Sequence, residues 1–127
     1  MDKATLVIAD FATGSRILEV LDGTGLRVNV AMWLRTPEYE DWRFALSSRD
    51  LDSVEPSAAY GRVHDTLGKG GFLLENTPPL LILRASDPFI RALRRIFGKV
   101  KSVEGMRLGG QALGGRFIED AVVYRIR

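Results

Sequence analysis

Hydrophobic and polar positions alternate most clearly between Leu26 and Ser48, LRVNVAMWLRTPEYEDWRFALSS. Val28, Val30, Met32 and Leu34 alternate with Asn29, Ala31, Trp33 and Arg35, the period of a half-buried strand. Trp42, Phe44 and Leu46 alternate with Arg43, Ala45 and Ser47 on the way back. Pro37 and the acidic Glu38, Glu40 and Asp41 favour a solvated loop between them, so residues 27–48 read as a long β-hairpin. Two registers compete. Pairing Leu34 with Trp42 sets Met32 against Phe44 and Val30 against Leu46, which makes one face wholly apolar. A slip of one residue sets Leu34 against Arg43 and Val30 against Ser47 and mixes that face. The pattern favours the first register, with Trp33 on the opposite face across from Arg43.

Helical spacing of Val7, Phe11, Gly14, Leu18 and Leu21 predicts one helix over residues 3–22, ended by Asp22-Gly23-Thr24-Gly25. Gly14 is its weak point, at about 1 kcal/mol relative to Ala. The rival reading makes Thr5–Ile8 a short strand and starts the helix near Thr13. A second helix is expected over Pro56–Leu67, with Ala59, Tyr60, Val63 and Leu67 as its apolar stripe. The Gly68-Lys69-Gly70-Gly71 run that stops it lacks the spacing of a phosphate-binding P-loop and reads as a surface loop.

Phe72-Leu73-Leu74 suggests a short edge strand, and Leu80–Arg84 a stronger one with an almost continuous apolar run. Ser86 is a good N-cap for a third helix that buries Phe89, Leu93, Ile96 and Phe97 and ends at Gly98. Two strands follow, Val103–Leu108 and Phe117–Ile126, around the glycine-rich segment 109–115. The expected fold is α+β in one domain, 1–127. Its mainly antiparallel sheet has about five strands (hairpin 27–48, strand 80–84, C-terminal hairpin 103–126), with three helices packed on it.

Composition narrows the function classes. The chain has no cysteine, which removes disulfides and thiolate metal sites. No signal-peptide pattern opens it and no apolar stretch approaches the roughly 20 residues of a membrane span, so a cytoplasmic protein without a membrane partner is expected. Charge is unevenly distributed. Residues 1–60 carry six Lys/Arg against ten Asp/Glu, whereas residues 61–127 carry twelve against six. Opposed halves and strands with an open edge predict a homo-oligomer, at least a dimer.

Catalytic chemistry has little support. His64 is the single histidine and reads as a surface residue, no nucleophile-elbow pattern occurs, and no cofactor motif is present. Asp50 and Asp52 leave a strand together and are the carboxylates to watch for a hard cation, but no calcium-loop spacing surrounds them, and no metal site is assigned.

The densest signal is basic. From Arg84 to Lys101 there are six Lys/Arg and one acid, Asp87. Arg91, Arg94 and Arg95 share one face of the third helix, Lys99 and Lys101 extend it, and Arg107 and Arg116 flank the glycine-rich segment, whose backbone amides suit phosphate. An ordinary helix also needs a charged outer face, so two readings stand. Trp33, with Arg43 beside it, offers a stacking platform, although a helix covering that face is the commoner arrangement in α+β domains. The expected function is a non-catalytic binding module for nucleic acid or an acidic protein. The alternative is a protein–protein or homo-oligomeric assembly subunit.

Overall fold

The computed structural model describes residues 6–127. It is an α+β fold with three helices, a five-stranded mixed sheet and a separate two-stranded sheet. In chain order the elements are α1 (Ile8–Gly23), β1 (Val30–Arg35), β2 (Arg43–Ser47), α2 (Pro56–Lys69), β3 (Leu80–Ile82), α3 (Pro88–Phe97), β4 (Arg107–Leu108), β5 (Gln111–Leu113), β6 (Arg116–Ile118) and β7 (Asp120–Ile126). The large sheet runs β3-β2-β1-β7-β4, and β5 with β6 forms the small one.

Both faces of the large sheet are covered, and this overturns the expected hairpin register. Trp33 pairs with Phe44, Leu34 with Arg43, Met32 with Ala45, Ala31 with Leu46 and Val30 with Ser47. Ala31, Trp33, Phe44 and Leu46 therefore share a face and pack with Ile17, Leu21, Val63 and Leu67 from α1 and α2. Val30, Met32, Leu34 and Ala45 take the other face with Phe89, Ile90 and Leu93 of α3 and Ile118 of the small hairpin. A one-sided sheet would have penalised this register; a sheet buried on both sides does not.

The sheet is not purely antiparallel. β3 lies parallel to β2, with Phe44 opposite Leu80 and Leu46 opposite Ile82. The intervening α2 supplies the long crossover that parallel pairing requires. The outer edge of β3 is partly closed, because the Ile82 amide donates to the Tyr60 hydroxyl of α2 at 2.9 Å. Residues Leu74–Asn76 form a 3₁₀ turn where an edge strand was expected.

α1 begins at Ile8, later than expected, and residues 3–5 of the expected helix and Thr5 of the rival strand lie outside the described residues. Its interior glycine has a specific cause. A Cβ on Gly14 would overlap the ring of Tyr124 on β7. The Tyr124 hydroxyl donates to the Phe11 carbonyl oxygen at 2.7 Å, so ring and helix are locked together.

The glycine-rich segment forms the β5–β6 hairpin. Gly114 and Gly115 turn the chain between β5 and β6 with φ of 57° and 82°, values that favour glycine. The hairpin rests against the start of α3, where a side chain on Gly114 would strike the Pro88 carbonyl.

Candidate polyanion interface

α3 is defined at both ends by its sequence. Asp87, not the expected Ser86, is the N-cap, its carboxylate accepting from the Phe89 amide at 2.9 Å. Pro88 occupies the first turn and Gly98 closes the helix. The buried side is Phe89, Ile90, Ala92 and Leu93. Ile96 was expected in this stripe but is 48% exposed.

The cations predicted as one surface divide into two groups. Arg91, Arg95, Lys99 and Lys101 are exposed, and among the described residues no carboxylate lies within ion-pairing distance of them. The others are engaged in the fold. Arg94 Nε donates to the Arg127 carbonyl oxygen at 2.7 Å and ties the end of α3 to the end of β7. Arg107 is ion-paired with Asp120 at 2.6 Å on the edge strand β4. Arg116 contacts Glu38 at 3.3 Å and Asp87 at 3.8 Å and stacks over Phe89, at the opposite end of α3 from Lys99.

Trp33 is not a platform. It is 3% exposed under α1, with its indole N–H donating to the Asp10 carbonyl oxygen at 3.2 Å. Its ring meets Phe44 edge-on at 5.2 Å between centroids. Arg43 lies on the other face of the sheet, beside Leu34, with its guanidinium 3.9 Å from the Tyr39 ring centroid. The corrected register separates the expected pair.

Asp50 and Asp52 have structural partners. Asp50 accepts from the Arg27 guanidinium at 2.7 Å and from the Arg27 amide at 3.0 Å, and these bonds hold its carboxyl down to about 2. Asp52 accepts from the Ala85 amide at 3.1 Å. Among the described residues no group of three acidic or histidine side chains is placed to hold a metal ion.

Sequence reasoning missed the groove beside the basic face. A depression of about 310 Å³ runs along the loop after α3, lined by Val100, Lys101, Ser102, Glu104 and Arg127. The signal available was the alternation of Arg125 and Arg127 in the last strand, which places one cation at the strand's end. Arg125 also lines the groove and is ion-paired with Asp22 at 2.8 Å. The Asp22–Arg125 and Glu38–Arg116 pairs join the acidic first half of the chain to the basic second half, so part of the expected complementarity is satisfied internally. The edges of the large sheet are short, with β3 partly capped by Tyr60 and β4 only two residues long. No helix among the described residues is long and apolar enough to cross a membrane.

Comparison with known proteins returns no match: no family model fits the chain, and neither a curated protein nor a solved structure is significantly similar to it.

Proposed function

We propose that the protein is a non-catalytic binding module whose α3 surface engages a nucleic-acid backbone through Arg91, Arg95, Lys99 and Lys101. The observation that supports it is clustering: Arg91, Arg95, Lys99 and Lys101 are all exposed within residues 91–101, and among the described residues no acid lies within 4.0 Å of any of them, the limit of an ion pair. A helix C-terminus favours basic residues through its dipole, but that effect fades within the last turn and accounts for Arg95 more readily than for Arg91 or Lys101. Phosphate contacts made this way position a partner without reading sequence.

The test is filter binding at low salt with arbitrary single- and double-stranded DNA and RNA. Replacing Arg91, Arg95 and Lys99 together by Ala should weaken retention of all sequences by similar factors and leave the circular dichroism spectrum unchanged. Failure of the unmodified protein to retain any nucleic acid sinks this reading. A specific observation favours a second one: Ile96 and Val100 are about half exposed among the cations, which suits an acidic protein partner with apolar side chains. In that case Ile96→Ser should weaken binding of the partner as much as the loss of an arginine does.

A further inference from the structure

The groove after α3 exists because β4 is short. β4 pairs with β7 at Ala121 and Val122, and Val123 then exchanges backbone bonds with Gly105 and Met106 at 2.7 and 2.9 Å. Beyond Val123 the two chains part. Residues 98–104 connect to the end of α3, while β7 runs on beside β1 to Ile126. A depression of about 310 Å³ is left between them, with the 98–104 segment along one side and the end of β7 along the other. That volume falls at the lower end of the range for small-ligand sites, roughly 300–1,000 Å³.

Two kinds of group line it. The first is backbone. Among the described residues, the amides of Lys101, Ser102, Val103 and Glu104 donate to no acceptor in the protein. The Val103 side chain is buried in the core beneath α3, so this residue meets the groove through its backbone. Unpaired amides take water as their acceptor by default, and beside fixed cations an anion is a better one. The second is charge. Lys101 and Arg127 are exposed, and no described carboxylate lies within 4.0 Å of either. Arg125 is already committed, its guanidinium meeting both Asp22 oxygens at 2.9 and 2.8 Å. The Arg127 carbonyl oxygen, an acceptor that would compete for donors, is held by Arg94. Glu104 is the one acid among the described lining residues, and it is exposed to solvent.

We propose that this groove seats a phosphomonoester, with its oxygens on the 101–104 amides and its charge against Lys101 and Arg127. The number of donors selects the group. A carboxylate or a phosphodiester brings two free oxygens and one charge. A phosphomonoester brings three oxygens and about −1.5 to −2 charges near neutral pH. The phosphate belongs either to the end of a nucleic-acid strand lying along α3 or to a free nucleotide. The first source rests on the binding function proposed for α3, and the seat itself does not.

Fluorescence anisotropy compares a labelled single-stranded oligonucleotide ending in a phosphate with the same strand ending in a hydroxyl. The phosphorylated strand should bind roughly tenfold tighter, the scale of one charge-assisted hydrogen bond. AMP and adenosine, titrated against the amide NMR signals of residues 101–104, form the second arm. AMP should shift these signals saturably, and adenosine should not. Ser102 is exposed, so Ser102→Asp should preserve the fold while placing a carboxylate among the donors and abolishing both preferences. Arg127→Gln, which keeps the carbonyl that Arg94 holds, should lower both without abolishing them. Replacing Arg91, Arg95 and Lys99 should weaken both strands and leave their ratio unchanged. Saturation by AMP without binding of any strand assigns the seat to a free phosphomonoester and sinks the α3 reading alone. Equal binding of the two strands, with AMP leaving the 101–104 signals unmoved, overturns the seat and leaves α3 untouched. A phosphate preference that survives Ser102→Asp overturns it as well.

Discussion

α1 and α3 cover opposite faces of the same sheet, and they are held there by different kinds of contact. α1 is fixed by groups that fit only one way: Gly14 admits the Tyr124 ring, Tyr124 bonds to the Phe11 carbonyl, and Trp33 bonds to the Asp10 carbonyl. α3 is fixed by aliphatic and aromatic burial, a single Arg94 bond and its Asp87 cap. The polar chemistry on the α1 side is used in holding the fold, whereas the outer cations of α3 hold nothing in place. Substitutions on the α1 side should therefore register as stability and those on the outside of α3 as binding.

The largest effect is expected at Phe44, which is fully buried between Trp33 and Tyr124 beneath α1. Phe44→Ala should cost about 3–5 kcal/mol in urea unfolding, the range for truncating a large core aromatic. Gly14→Ala comes next. Helix propensity alone predicts a gain of about 1 kcal/mol, but the new methyl group must displace the Tyr124 ring, and overpacking of this kind costs about 1–3 kcal/mol. A net loss of stability supports the close-packed picture of α1; a net gain would break it.

A smaller effect is expected at alkaline pH. Burial is the main cause that raises the Tyr124 hydroxyl above its ordinary value, with the Asp10 and Glu104 charges adding to it and a hydrogen bond with Trp33 opposing it. A folded-state value above the unfolded one means that stability is fully present below the unfolded value of about 10 and is lost as pH rises through the folded value. The stability difference between the native protein and Tyr124→Phe should thus shrink above pH of about 10. An unchanged difference across that range would show that the hydroxyl is not buried in its bond to α1.

Local signals in the sequence located the three helices, although α1 starts at Ile8 and Asp87 rather than Ser86 caps α3. Pro56 and Pro88 mark starts, Gly98 marks an end, and Ala59, Val63 and Leu67 mark the buried side of α2. The register of β1 against β2 was not legible, because Met32 and Trp33 are both large and apolar and either face could have been the core. What fixed the choice was α1 and α3 arriving from opposite sides. The apolar Leu80-Leu81-Ile82 run was the available sign of a strand buried on both faces, and it belongs to the parallel pairing. Gly14 stood out as a flaw in a helix, yet its explanation lies on β7 at the other end of the chain.

For the candidate sites the limits were similar. The basic run on α3 was visible as composition, but only the tertiary fold separates Arg91 and Arg95 from Arg94, Arg107 and Arg116, which have partners.

The central claim is that the α3 cations are available to a polyanion, and the salt dependence of binding tests it most directly. Log affinity for an arbitrary DNA duplex, plotted against log salt concentration, should fall linearly, with a slope reduced by roughly three units when Arg91, Arg95 and Lys99 are replaced. Arg94→Ala should change that slope by much less, because its guanidinium is bonded to the Arg127 carbonyl. Binding that is insensitive to salt, or a slope that survives the triple substitution, would contradict the account.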